Sequence, residues 1–267
     1  VAFPHLKPAM RLQDRICIVT GAARGIGFAI ARAFAAEGAI VVAVDLLGEE
    51  LSASVARLGA DGGRAEPRVA DLRDPASVEA LIAAVRAAHG RIDVLVNNAG
   101  TTFYGGALDT RVEDLERAWQ ANLVPTFLMA RAAAAAMVEQ GGGRIVNMAS
   151  AAAEVAVTRF FAYSIAKAGV VALTRQMAAE LGARGVLVNA LAPGPVLTEM
   201  LAKNQNQRLQ ALLRGHIPQD RFAEPDEVAR AAVFLAGADA SYFNGHVLHV
   251  DGGMLAAGAR LDRLEPA

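Results

Sequence analysis

The chain has one cysteine, Cys17, in 267 residues, so an internal disulfide is excluded. That usage suits a reducing cytoplasm. Cys17 lies in an apolar run and reads as a small packing residue rather than a nucleophile. The five histidines, His5, His89, His216, His246 and His249, neither form His-Glu-x-x-His nor pair with cysteine at zinc spacing. No metal site is expected from them. An excess of one charge is also missing: 26 Lys and Arg face 27 Asp and Glu, and no basic run occurs. Nucleic acid and anionic membrane surfaces are therefore poor partners. No stretch of about 20 apolar residues is free of charge, so no membrane-spanning helix is expected. Residues 1–10 hold two prolines and no long apolar stretch, and read as an irregular extension rather than a signal peptide. Solenoid repeats and breaks in composition are absent. With 54% hydrophobic and 5% aromatic residues, the chain suits one α/β domain over 1–267.

What is present is an alternation of short β-branched runs with helical stretches. The first run, Arg15-Ile16-Cys17-Ile18-Val19-Thr20, is bounded by Gly21 and reads as a buried parallel strand. A turn follows with glycines at 21, 25 and 27, then the helical stretch 28–34. Strand, glycine turn and helix in that order form a phosphate cradle: missing side chains admit a pyrophosphate, and the helix start offers free N–H groups. The spacing is Gly-x-x-x-Gly-x-Gly, and a plain tight turn is the bland alternative.

A second strand over 39–44 ends on Asp45, placed to bind an adenosine ribose diol. Its charge would repel a 2′-phosphate and favours NAD. Arg24 pulls towards NADP, because a guanidinium in the glycine turn can hold that phosphate. The balance favours NAD. Helices are expected over 48–59 and 75–89, with a short strand between them leaving at Asp71-Leu72. Asp71 either accepts from an adenine amino group or caps a turn. A fourth strand over 92–96 ends on Asn97-Asn98-Ala99-Gly100, a small exit that leaves room for a ribose.

Residues 111–131 read as one long helix containing Asn122 and Pro125. Either the helix kinks there, or Asn122 faces the site and its backbone holds a water. Arg144-Ile145-Val146-Asn147-Met148-Ala149-Ser150 reads as a strand ending in a hydroxyl. Tyr163 and Lys167, four apart, share one helix face. A neighbouring ammonium favours the phenolate and lowers a tyrosine pKa, fitting it for proton transfer. A strand over 185–192 runs into Pro193-Gly194-Pro195-Val196-Leu197-Thr198. The polar segment 199–218 reads as a substrate lid. A helix over 226–236 and a strand over 245–251 follow. The expected fold is a seven-stranded, doubly wound parallel Rossmann sheet with helices on both faces.

These residues resemble the short-chain dehydrogenase/reductase family over about 11–253. The glycine turn with Gly21, Arg24, Gly25, Ile26 and Gly27, the Asp71-Leu72 pair and Asn98-Ala99-Gly100 match the family's cofactor half. Asp45 with Leu46 takes the ribose position there. Asn122, Ser150, Tyr163 and Lys167 match its catalytic four. Pro193, Gly194, Val196 and Thr198 match its nicotinamide-amide segment, and Val250-Asp251-Gly252-Gly253 its C-terminal signature.

The resemblance implies an NAD(P)-dependent oxidoreductase interconverting a secondary alcohol and a ketone. Tyr163 would be general acid/base, and Ser150 would steady the oxyanion. Lys167 would tune Tyr163 and bind the nicotinamide ribose, and Asn122 would support a water. The family also implies a homotetramer. Substrates stay open among polyols or sugar acids, 3-oxoacyl thioesters and small cyclic alcohols. Pocket candidates are Thr102, Phe103, Ala152, Glu154, Arg159, Phe160, Val196, Met200 and the lid up to His216. A non-catalytic dinucleotide sensor on the same fold is the alternative, although none of its usual losses of Tyr or Lys is seen. The sequence departs from the family at Ile165-Ala166 and at Ala151-Ala152-Ala153-Glu154, next to the catalytic residues.

Overall fold

A computed structural model describes residues 10–199 and 207–257. Seven strands form one sheet: β1 (Ile16–Thr20), β2 (Ile40–Asp45), β3 (Arg64–Val69), β4 (Val94–Asn97), β5 (Gly143–Met148), β6 (Val186–Pro193) and β7 (Val247–Val250). Every pairing is parallel, in the order β3-β2-β1-β4-β5-β6-β7. The order reverses between β1 and β4, which opens a crevice at their carboxyl ends.

Period-two alternation splits the central strands between two cores. Cys17, Val19, Val41 and Ala43 pack on one face with Ile30 and Phe34 of α1 (Gly25–Ala36), Leu51 and Leu58 of α2 (Gly48–Ala60), and Val228 and Val233. Ile16, Ile18, Val42 and Val44 point the other way, onto Val78 and Val85 of α3 (Pro75–His89) and onto Met129 and Met137. Both faces are buried, so the strands read as continuous apolar runs. The polar strand β3, with Pro67, lies at the edge, where a missing N–H is tolerated.

The expected long helix is two helices, α4 (Val112–Asn122) and α5 (Val124–Glu139). Pro125 has no N–H to give to the carbonyl four residues back, and the ladder breaks at Leu123. By length and composition alone, Val112–Glu139 could cross a membrane, and 56% of its most apolar window is buried within the fold. Helix α6 (Phe161–Leu181) carries the Tyr-x-x-x-Lys stretch. The lid segment contains α7 (Gln207–Gly215), and α8 (Pro225–Ala236) begins on a proline at its first turn. Residues 1–9, 200–206 and 258–267, which include most of the N-terminal extension and Met200, lie outside the described residues.

Candidate active site

A cleft of about 830 Å³ runs along the carboxyl ends of the strands. It begins at the glycine turn. Gly21 and Gly25 take φ of +66° and +58°, a region that favours glycine. A Cβ on Gly27 would lie 2.0 Å from the Gly21 carbonyl oxygen, so α1 can pack this closely only with glycine there. Gly27 lies beneath the turn, whereas Gly21, Arg24, Gly25 and Ile26 line the cleft. Arg24 caps α1 in extended conformation, no side chain bonds the helix start, and the first turn holds no acid. The first N–H groups of α1 are thus left for an anion.

Asp45 ties the turn to β2. Its Oδ2 accepts from Ala23 N (3.0 Å), and its Oδ1 from Leu46 N (2.8 Å) and Leu47 N (3.1 Å). Leu46 is exposed beside it on the cleft. Asn98, just past the end of β4, braces the same turn, donating Nδ2 to Thr20 O (2.9 Å) and Gly21 O (3.3 Å). Thr20 Oγ1 accepts from Asn98 N and Ala99 N. Asp71 caps a turn: it accepts from Arg73 N (3.0 Å) and pairs with that guanidinium (2.6 Å). This ion pair holds Asp71 down at about 2. Leu72 is buried beside it.

At the other end stand the four expected catalytic residues. Asn122 is wholly buried. Its Nδ2 donates to Thr101 O and Ala118 O, both at 3.0 Å, and its Oδ1 accepts from Thr101 N (3.1 Å). Its carbonyl accepts from Thr126 Oγ1 (2.8 Å), beside the gap that Pro125 leaves. Lys167 is 4% exposed, and its Nζ donates to Met148 O (2.8 Å), the carbonyl that ends β5. Gly100 makes room for both: a Cβ there would lie 2.6 Å from Asn122 Oδ1 and 3.5 Å from Lys167 Nζ. Ser150 begins a short 3-10 turn, its Oγ accepting from Ala152 N (3.2 Å), and it also hydrogen-bonds Tyr163.

The electrostatics correct one expectation. Burial without a carboxylate partner pulls Lys167 down to about 8. Tyr163 is raised, not lowered: burial pushes it up, the hydrogen bond to Ser150 opposes this, and Tyr104 adds to the rise. The Lys167 ammonium sits 5.8 Å from the Tyr163 ring centroid and is directed to the Met148 carbonyl.

Pro193, Gly194, Val196 and Thr198 form the wall after β6. Of the pocket candidates, Thr102, Ala152, Phe160 and Val196 line the cleft. Phe103 instead packs on Ala118, Ala162 and Ala166. Glu154 pairs with His249 (3.1 Å). Arg159 is exposed, at φ +67°. From the lid, Glu199 and Leu213 line the cleft and His216 does not. Tyr104, Arg73 and Met254 also line it and were not foreseen. Tyr104 follows the Asn97-to-Gly100 strand exit closely, and that proximity was the available signal.

A glycine-turn cleft across the switch point of a parallel sheet defines a dinucleotide-binding α/β protein. Comparison with known proteins narrows the class. A family model described as enoyl-(acyl carrier protein) reductase matches residues 21–255. D-threitol dehydrogenase of Mycolicibacterium smegmatis is 47% identical, over 91% of this chain and 94% of that protein. The 3-oxoacyl-[acyl-carrier-protein] reductase FabG of Thermotoga maritima is 37% identical, over 92% and 100%. Among solved structures, a putative NAD(P)-dependent gluconate 5-dehydrogenase from Beutenbergia cavernae with bound NADP superposes with a TM-score of 0.88. It is 38% identical, over 93% of this chain and 100% of that one. The chain belongs to the short-chain dehydrogenase/reductase family. It is accordingly an oxidoreductase of CH–OH donors in a family that uses NAD(P).

Proposed function

We propose that the protein is an NAD-dependent dehydrogenase interconverting a secondary alcohol and a ketone, with Tyr163 as the general acid/base. The observation that carries this is the hydroxyl pair of Ser150 and Tyr163 beside buried Lys167, in the same cleft as the glycine turn.

The residues present suit a dinucleotide. The uncapped start of α1 offers N–H groups to a pyrophosphate, and Asp45 ends β2 where a ribose diol would lie. The Gly100 exit and the wall from Pro193 to Thr198 would flank the nicotinamide half. When bound, the nicotinamide supplies or takes the hydride. The chain's own residues do the rest. Ser150 holds the substrate oxygen, a type of interaction worth about 3 kcal/mol in the transition state. Tyr163 gives or takes the proton at that oxygen. Lys167 is braced by the Met148 carbonyl, and Asn122 holds the loop at Thr101 that faces it.

The Asp45 charge supports NAD, with Arg24 as the counterweight towards NADP. Relatives named for D-threitol, for 3-oxoacyl carrier-protein substrates and for gluconate keep polyols, sugar acids and 3-oxoacyl thioesters in view. A homotetramer in the cytoplasm completes the proposal. Tyr163→Phe tests the mechanism: turnover is lost while NADH still binds. Near-normal turnover by that variant would sink it.

A further inference from the structure

Helix α2 carries two serines, Ser52 and Ser54, that behave differently. Ser52 is exposed, and its Oγ donates to Gly48 O (2.8 Å), four residues back in the same helix. That is the ordinary bond of a helical serine. Ser54 is 1% exposed and reaches out of its helix: its Oγ donates to Ala23 O (2.6 Å) in the glycine turn, 31 positions away. A serine hydroxyl has one proton to give. Arg57 Nη2 donates to the same Oγ (2.9 Å) and can accept nothing, so the Ser54 proton is directed to Ala23. A charged donor also polarises the hydroxyl and strengthens the bond it gives. Arg57 is in turn placed by α1, its guanidinium lying 4.3 Å over the Phe28 ring.

The turn is therefore held on both sides of Ala23. Ala23 N donates to Asp45 Oδ2 (3.0 Å), and Ala23 O accepts from Ser54. The second contact fixes the Ala23–Arg24 peptide. In a trans peptide the C=O and the N–H point in opposite directions, and the described peptides are all trans. With its carbonyl turned to α2, this peptide turns the Arg24 N–H away from α2. Among the described residues that N–H meets no acceptor. Arg24 and Gly25 line the cleft, whereas Ser54 and Arg57 do not.

We infer that Ser54 is a positioning residue for the dinucleotide: backed by Arg57, it aims the Arg24 N–H at the pyrophosphate from outside the cleft. The inference rests on the dinucleotide reading above. The pyrophosphate is common to NADH and NADPH. Ser54 therefore sets the affinity for both and leaves the choice between them to Asp45 and Arg24. Arg57 lies one bond further out and acts through Ser54.

The test is a fluorescence titration of Ser54→Ala, Arg57→Met and the double variant with NADH and with NADPH, alongside urea unfolding. Ser54→Ala should weaken both cofactors by about tenfold, the size of one hydrogen bond whose buried carbonyl is left unpaired. The ratio of NADH to NADPH affinity should stay within about twofold of wild type. Arg57→Met keeps an apolar chain on Phe28 and should weaken both cofactors by about threefold. The double variant should bind like Ser54→Ala alone, because the two residues act as one unit. Arg57 is exposed, so Arg57→Met still decides the matter if Ser54→Ala fails to fold. Unchanged affinities with a lower urea midpoint would make Ser54 a brace of the fold alone and overturn the inference. So would a changed ratio, or losses that multiply in the double variant. If the wild type binds both cofactors and the variants bind them equally well, only this inference falls. If the wild type binds neither, the dinucleotide reading falls with it.

Discussion

The two ends of the sheet treat a buried charge in opposite ways. At the foot, Asp93 is 5% exposed and fully partnered. It accepts from Ile16 N (2.8 Å), from Arg15 (3.0 Å) and from Arg91 through Nε (2.9 Å) and Nη2 (2.6 Å). At the top, Lys167 is as deeply buried, and among the described residues its hydrogen bond goes to a carbonyl and no carboxylate pairs with it. A buried charge with its partners ties elements together; one without them is left under strain. The foot therefore secures β1 to β4, and the top keeps an uncompensated ammonium next to the hydroxyls proposed to react.

Substitutions at each end should separate these roles. The largest effect belongs to the top. Tyr163→Phe should lower kcat by about a thousandfold or more, the scale of general acid–base catalysis, with little change in the urea midpoint. A parallel loss of stability would make Tyr163 a structural residue. Asp93→Ala should do the reverse. Arg15 and Arg91 are half exposed and return to water, so the main cost is the unpaired Ile16 N–H, about 1–3 kcal/mol, read as a lower urea midpoint while kcat per folded molecule stays unchanged.

Lys167→Met probes the uncompensated charge through pH. The folded-state pKa of about 8 lies below the ordinary lysine value, so the fold disfavours the charged form. That penalty is complete below about pH 8 and is relieved as pH rises towards the unfolded value of about 10.4. The variant should therefore gain stability relative to wild type at pH 7 and lose that advantage by about pH 10.5, a change on the order of 2–3 kcal/mol. An advantage independent of pH would mean that Lys167 does not titrate in this window. The smallest effect belongs to the surface. Arg32→Ala breaks a pair with Asp226 in which both side chains are 48% exposed, and should shift stability by about 0–1 kcal/mol.

The sheet was legible because parallel strands buried on both faces must be apolar throughout. Runs such as Ile16 to Thr20 and Ile40 to Val44 announce themselves. The glycine turn was legible for a related reason: glycine at 21, 25 and 27 answers local demands of backbone space. The break at Leu123 was only half visible. Pro125 signalled a disturbance by freeing the Ala121 carbonyl, but whether a helix bends or stops there depends on the packing around it, which spacing does not encode. The substrate half was the least legible. Phe103 packs inward while Tyr104 faces the cleft, and Glu154 is drawn to His249 on β7, 95 positions away. Such choices are set by the path of loops across the sheet end, which neither periodicity nor spacing encodes. The pKa of Tyr163 was misjudged for the same reason. Four-residue spacing puts Lys167 on the same helix face, but desolvation, which depends on everything packed around the pair, outweighs it.

The most direct test of the account is a fluorescence titration of the purified protein with NADH and with NADPH. The account predicts saturable binding of both, with NADH the tighter because of Asp45. Tighter NADPH would hand the selection to Arg24, and the absence of binding by either would contradict the dehydrogenase reading itself.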